Sequence, residues 1–244
     1  MESRFSKQSK LYAKYRPDYP AELYDFIFSH LNAWDTAWDC ATGSGQVAKI
    51  LANHFKQVYA SDISDEQMAH APRESNIQYF NVPAENSDFP SALFDLITVA
   101  QAIHWFDFEK FYEEVRRTAK HGALLAVAGY GRVTVDPKLD KLIDPFYDQM
   151  FGQYFDKNRT YLEQKYRSIP FPFYEISTPA FSRTLDWTPS DLEGYLNSWS
   201  AVQQYIQDHK SNPVDLLLEK VHAVWQPDEY REVTFPVFLR LGRI

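Results

Sequence analysis

The sequence predicts an α/β fold built on a doubly wound, largely parallel sheet, and three observations carry that prediction. Strand-like and helix-like segments alternate from Thr36 to Ala128, as parallel neighbours joined by crossovers require. Asp39-Cys-Ala-Thr-Gly-Ser-Gly-Gln-Val-Ala48 runs from an acid at a strand end, through glycines, into a helix. Ala123-Leu-Leu-Ala-Val-Ala128 is apolar almost throughout, as a strand covered on both faces tends to be.

The elements follow in order. Residues 20–31 open with Pro20 at a helix start and carry apolar residues at helical spacing. Thr36 to Asp39 reads as the first strand and Gln46 to Phe55 as the helix after it. Gln57 to Ser61 is the second strand, ending at Asp62. Asp65 to Ala71 is a helix with Ser64 as its N-cap and Pro72 as its stop. Ile77 to Phe80 and Phe94 to Val99 are the third and fourth strands, Phe108 to Ala119 a helix, and Ala123 to Ala128 the fifth strand. After Gly131 the pattern changes. Pro137 to Pro179 carries helical stretches, breaks at Ile169-Pro-Phe-Pro172, and offers no strand that obviously joins the sheet. The expectation is one domain over 1–244 with a mostly helical cap insertion at about 133–180, over the carboxyl ends of the strands. Phe181 to Trp187 alternates like a strand, Pro189 to Leu196 and Pro213 to Trp225 read as helices, and Glu232 to Arg240 is the last strand. Pro236 is awkward there, because proline cannot donate to a ladder.

Composition narrows the function. A chain of 244 residues can bury a substantial core. Its net charge of -8, with no basic run longer than Arg116-Arg117, argues against nucleic acid as a partner, since phosphate binding needs clustered Lys and Arg. The single cysteine, Cys40, excludes an intrachain disulfide and fits a reducing compartment. No apolar run approaches the length of a membrane span, and the first residues have no signal-like apolar region, so a soluble cytoplasmic protein is expected. Aromatic residues make up 16% of the chain, many of them past Pro137. They serve either core and turn packing or an aromatic-lined substrate chamber.

The glycine turn points to a nucleoside-containing cofactor. Glycine lets a backbone approach a ligand closely, the following helix N-terminus favours negative charge, and an acid at the next strand tip can accept ribose hydroxyls. Asp62 lies 17 residues after Gly45. Gly43-x-Gly45-x-x-Ala48 also fits a dinucleotide fingerprint, so an NAD-type oxidoreductase is one reading. Asp39 opposes it, because a carboxylate beside the turn repels a pyrophosphate and attracts an ammonium group. A third anchor follows the third strand at Val82-Pro-Ala-Glu85, where a backbone N–H can read an adenine edge. S-adenosyl-L-methionine carries an amine, a ribose and an adenine to match the three strand ends.

On these residues the chain resembles the class I S-adenosylmethionine-dependent methyltransferases over nearly its whole length. The resemblance implies a Rossmann-like sheet of seven strands whose last strand is antiparallel. The family's acid-Gly-x-Gly-x-Gly motif falls on Asp39, Ala41, Gly43 and Gly45, its ribose acid on Asp62 beside Ile63, and its adenine segment on Ala84-Glu85. Its fourth-strand motif covers Phe94 to Gln101, and Gln101 is placed near the methionine moiety. Ala41 departs from the family's first glycine, and an ordinary φ is expected there. Tyr15-Arg-Pro-x-Tyr-Pro20, Ala102-Ile-His-Trp-Phe-Asp107 and Trp199-Ser-Ala-Val202 resemble the subgroup that includes trans-aconitate methyltransferases. That implies a small acceptor, with a carboxylic acid the first expectation.

Several residues are candidates for chemistry. His104, after the fourth strand, is either a general base or a structural histidine walling the cofactor site. Trp105 and Phe106 pack against adenine or substrate. Tyr15 and Arg16 either close over the cofactor or form a plain helix entry before Pro17. Arg159, Arg167, Trp187, Tyr195 and Trp199 are candidates to anchor a substrate in the cap. No Cys/His cluster has zinc-ligand spacing, and no Asp/Asn-Pro-Pro-Tyr/Phe segment follows the fourth strand, which argues against methylation of nucleic-acid bases. A catalytically idle S-adenosylmethionine-binding regulator stays open as a non-enzymatic reading.

Overall fold

The computed structural model describes residues 15–151, 154 and 157–244. They form two compact units. One comprises Asp18–Gly131, Thr160–Phe181 and Val237–Ile244; the other comprises the described residues of 1–17 with Arg132–Arg159 and Ser182–Pro236. The stretch 133–180 is therefore divided between them at residue 159.

The first unit holds the sheet. Its strands are β1 (Thr36–Cys40), β2 (Gln57–Asp62), β3 (Ile77–Asn81), β4 (Phe94–Ala100), β5 (Ala119–Tyr130), β6 (Tyr174–Ile176) and the second half of β8 (Arg231–Arg243), in the order β3-β2-β1-β4-β5-β8-β6. β1 to β5 pair in parallel. β8 runs antiparallel to β5 over Val237–Arg243, as expected of the last strand. Pro236 lies one residue before that pairing begins, so it owes β5 no donor. The edge strand β6 pairs antiparallel with β8. No strand is expected there from sequence, because three residues flanked by prolines show no periodicity. Phe181–Trp187 forms β7, which pairs with β8 off the seven-strand path and brings the total to eight.

The helices obey their local signals. α1 (Ala21–Ser29) buries Leu23, Tyr24 and Ile27. α2 (Gln46–Ala52) starts at Gly45 and stops before Phe55, because the amides of Asn53 and His54 bond back only three residues. α3 (Asp65–Met68) is capped by Ser64, whose Oγ accepts from the Gln67 amide at 3.3 Å. α4 (Phe108–Thr118) is capped by Asp107 and leads directly into β5. The core of this unit gathers Trp38, Phe94, Phe111, Leu125 and Val127. Rings of Trp38, Tyr59, Phe80, Phe89 and Phe94 meet at centroid distances of 4.9–5.6 Å. Much of the aromatic content is thus packing.

The second unit is mainly helical. It contains α5 (Pro137–Phe151), α7 (Pro189–Asn197), α8 (Ser200–His209) and α9 (Pro213–His222), with β7 and the first half of β8. Thr188 and Asp191 make a capping box at α7, and Asn212 caps α9, each with proline at the next position. α9 packs on α5, α7 and α8. A short helix, α6 (Arg159–Glu163), lies where the chain passes from this unit to the other.

Candidate functional site

In open α/β sheets ligands bind beyond the carboxyl ends of the strands, at the point where strand order reverses. Here β1 is flanked by β2 on one side and β4 on the other, and the residues singled out in the sequence follow these strands.

After β1 the backbone turns through three left-handed residues, Ala41 (φ 55°), Gly43 (φ 56°) and Gly45 (φ 76°). The ordinary φ expected at Ala41 is not found. Thr42 N–H donates to the Ser61 carbonyl at 2.9 Å and Gly45 N–H to the Thr42 carbonyl at 2.9 Å, and the turn so tied bends at residue 41. Alanine carries a strain there of about 1–2 kcal/mol. At Gly43 an added Cβ would lie 2.9 Å from Gln67 Oε1.

Asp39 sits under this turn and is 1% exposed. Its Oδ2 accepts from Thr42 Oγ1 at 2.5 Å and from the Ala48 amide, in the first turn of α2, at 3.0 Å. Its Oδ1 accepts from Thr98 Oγ1 on β4 at 2.9 Å. All three donors are neutral. Burial pushes the Asp39 carboxyl up to about 6; the hydrogen bonds pull it down and the charge of Asp62 pushes it up. Cys40 is wholly buried in the core, and burial pushes its thiol up.

Asp62 ends β2. Its Oδ2 accepts from Gly43 N–H at 2.8 Å and its Oδ1 from Ser64 N–H at 2.9 Å. One carboxylate therefore ties the tips of two strands together, and its oxygens keep lone pairs for further donors. Ile63 beside it is 75% exposed. After β3, Ala84 is buried, while Glu85 Oε1 accepts from the Asp107 amide at 2.9 Å. After β4, Gln101 is left-handed and donates from Nε2 to the Tyr130 carbonyl at 3.1 Å, joining the ends of β4 and β5.

His104 lies in a 3₁₀ turn, Ile103–Trp105, and is buried. Its Nδ1 is 2.9 Å from Tyr166 Oη. Trp105 is 58% exposed. Phe106 packs on Phe111 in the core, which suits it poorly to touching a ligand.

Most remaining candidates converge in the helical unit. Trp187, Tyr195, Trp199 and Tyr147 form a row with successive ring centroids 5.3–5.5 Å apart. Arg16 lies over Tyr195 and donates to the Ser198 carbonyl at 3.3 Å. Arg159 donates to Tyr147 Oη at 2.6 Å, and Arg132 lies 3.7 Å from the centre of that ring while pairing with Asp148 at 2.9 Å. The Tyr15 ring packs onto Gly194 so closely that a Cβ there would fall 2.4 Å from it. Tyr147 and Arg132 are missed by sequence reasoning, because nothing in their spacing links them to the tryptophans. Arg167 stays apart, exposed beside Tyr166 in the sheet unit.

Two carboxylates at the tips of β1 and β2, with no cation among the described residues bonded to either, suit an ammonium and a ribose diol better than a pyrophosphate. Among the described residues no group of three His, Cys, Asp or Glu could hold a metal, and no helix is long and apolar enough to cross a membrane.

Comparison with known proteins gives the same reading. A family model described as a methyltransferase domain matches residues 38–127, the segment from β1 into β5. A candidate methyltransferase of Dictyostelium discoideum is 31% identical over 250 residues, covering 99% of this chain and 95% of its own length. The methyltransferase cfoB of Aspergillus candidus is 27% identical, over 94% of this chain and 75% of its own. A solved structure, a candidate type II methyltransferase from Anaeromyxobacter dehalogenans, superposes with a TM-score of 0.86 at 35% identity, covering 93% of this chain and 97% of that one. A nicotinamide oxidoreductase is thereby set aside. With its acid-and-glycine turn, its mixed sheet and a relative alike along almost its whole length, the chain belongs to the class I S-adenosylmethionine-dependent methyltransferases.

Proposed function

We propose that this methyltransferase acts on a small-molecule acceptor at oxygen, a carboxylate before a hydroxyl. The observation that carries the proposal is the placing of Arg16, Arg132 and Arg159 along one aromatic row, a composition suited to an organic acid. The resemblance to trans-aconitate methyltransferases supports the same class. The net charge of -8 argues against nucleic acid as the substrate.

In this reading Asp62 accepts the ribose hydroxyls through its remaining lone pairs. Ile63, exposed next to it, and Ala84-Glu85 bracket the adenine. Ala41, Gly43 and Gly45 let the backbone approach, Asp39 attracts the ammonium group through its charge, and Gln101 faces the methionine moiety. The bound cofactor supplies an electrophilic methyl on a sulfonium. The protein supplies alignment, worth about 7–11 kcal/mol in favourable cases.

The raised carboxyl of Asp39 gives a pH dependence. An ammonium group beside Asp39 favours its ionised form, so binding releases a proton wherever the free protein holds one. S-adenosylhomocysteine affinity is expected to be level above pH 7 and to fall below about 6, by up to about tenfold per unit. Calorimetry at pH 5 and 7.5 checks this, and Asp39→Asn flattens the profile. In the free protein the sign is opposite. The contribution of Asp39 to stability is full below the usual carboxylate range and is lost as pH rises through about 6.

Turnover is tested by following S-adenosylhomocysteine release with a panel of small mono-, di- and tricarboxylic acids beside matched alcohols and phenols. Turnover confined to hydroxyl compounds would remove the carboxylate assignment. A general base is worth about 10²–10⁴-fold. His104→Gln should therefore cost that much in kcat on a hydroxyl acceptor and little on a carboxylate.

A further inference from the structure

We infer that Glu114 and Arg117 are positioning residues for the cofactor's adenine: together they clamp the segment after β3, so that the amides of Ala84 and Glu85 meet the N1 edge of the base. The inference rests on the reading above, which puts the adenine at Ala84-Glu85, and adds what holds that segment in place.

The clamp lies wholly within the sheet unit. Glu114, on α4, is 6% exposed. Its Oε1 accepts from the Ser87 amide at 2.9 Å, from the Ser87 hydroxyl, and from Arg117 Nη2 at 2.6 Å. Its Oε2 accepts from Arg117 Nε at 2.8 Å. Arg117 reaches on, donating from Nη1 to the Phe89 carbonyl at 2.6 Å. The Phe89 amide donates to Ser87 Oγ at 3.3 Å, and the Ala92 amide to the Arg117 carbonyl at 3.0 Å. Between these ties Asp88 is left-handed, at φ 56°. A residue other than glycine keeps such a conformation only where its neighbours over-determine it. The Phe89 ring completes the hold, buried against Phe80 and Phe94 at centroid distances of 4.9 and 5.5 Å.

Stability alone is a poor reason for a buried carboxylate, since apolar residues of similar volume often stabilise as well or better. What the ion pair adds is direction. Charge-assisted, two-pronged bonds fix angles as well as distances, and here they fix backbone groups of Ser87 and Phe89. The tie falls where the adenine reading needs it. Asn81 ends β3 opposite Asp62, and only five residues separate it from Ser87. Within those five, Glu85 accepts from the Asp107 amide at the start of α4, and Ser87 is held about two turns further along the same helix. One rigid helix thus sets the course of the segment. Ala84 is buried, and neither its amide nor that of Glu85 donates to any group among the described residues. Both are left for a ligand. With the ribose at Asp62 on β2, the adenine edge remote from the sugar, which carries N1, falls to the next strand, β3.

The probes are S-adenosylhomocysteine and S-inosylhomocysteine, whose base carries a hydrogen on N1 and a carbonyl in place of the amine. Each is titrated calorimetrically into wild type and into the double variant Glu114→Leu, Arg117→Leu. Removing both partners together leaves no charge uncompensated. Wild type is expected to bind the adenine compound about ten- to a hundredfold more tightly, because an amide facing N1–H loses its acceptor. The double variant, melting cooperatively, should discriminate by no more than about threefold, through weaker binding of the adenine compound. A folded variant that discriminates as wild type does overturns the inference, since a merely structural pair would change stability and leave the ratio alone. Should the double variant not fold, Ser87→Ala removes one hydroxyl and no charge. It should cut the ratio by at least about threefold, and an unchanged ratio overturns the inference equally. Wild type that binds both compounds alike shows that the segment does not read N1. Wild type that binds neither fails the methyltransferase reading itself, so the two failures are distinguishable.

Discussion

Asp62→Ala is expected to weaken S-adenosylhomocysteine binding by about 10²–10⁴-fold. A hydrogen bond to a charged group contributes about 1.5–3 kcal/mol, and the proposed ribose diol makes two. The variant also strips the amides of Gly43 and Ser64 of their acceptor, which loosens the glycine turn. Leaving a fully buried donor without a partner costs about 1–3 kcal/mol, and these two half-buried amides lie at the low end of that range. The melting temperature should therefore fall by several degrees, at roughly 2–4 °C per kcal/mol for a chain of this size. Calorimetric titration of wild type and variant, each checked for a cooperative melt, separates the two effects. Affinity within threefold of wild type in a folded variant would remove Asp62 from the cofactor site. Asp62→Asn should fall between, because one oxygen remains to accept.

The second large effect concerns Gly45, and Gly122 serves as its control. Both glycines are left-handed, at φ 76° and 79°, so an alanine at either carries a similar backbone strain of about 1–2 kcal/mol. Their surroundings differ. A Cβ on Gly45 would lie 2.8 Å from Pro72 Cδ, 2.9 Å from Tyr79 Oη and 3.0 Å from Ala71 Cβ, whereas nothing lies within 4 Å of one on Gly122. Tyr79 cannot simply swing aside, because its hydroxyl donates to the Pro72 carbonyl at 2.8 Å. Overpacking adds about 1–3 kcal/mol. Gly45→Ala should thus lower the melting temperature by about 5–20 °C and Gly122→Ala by about 2–8 °C. Equal shifts would mean that the space around the glycine turn yields easily and that strain alone explains both.

The fold was largely legible because its signals are local. The apolar run at Ala123–Ala128, the Ser64 cap and the acid-glycine turn each occupy a few adjacent residues, and each appears where it is expected. Legibility failed where a decision depends on distant groups. β6 is three residues long and exists because β8 offers it an edge, through Tyr174 opposite Arg243 and Ile176 opposite Leu241. Ala41 adopts a conformation that its own residue type disfavours, because Ser61, 20 residues away in β2, accepts the Thr42 amide.

The sequence by itself determined the class of molecule: an α/β sheet, a turn through Gly43 and Gly45, acids at two strand tips, and a histidine after the fourth strand. These are set by periodicity and by what glycine, proline and carboxylates do to the backbone beside them. Only the tertiary structure decided the chemical state of those groups. Asp39 is shut from water beneath its own turn, which raises its carboxyl. Arg16 and Arg159, far apart in sequence, come to one aromatic row. His104 meets a tyrosine 62 residues further on. Protonation depends on which atoms lie within a few ångströms, and no spacing along the chain encodes that.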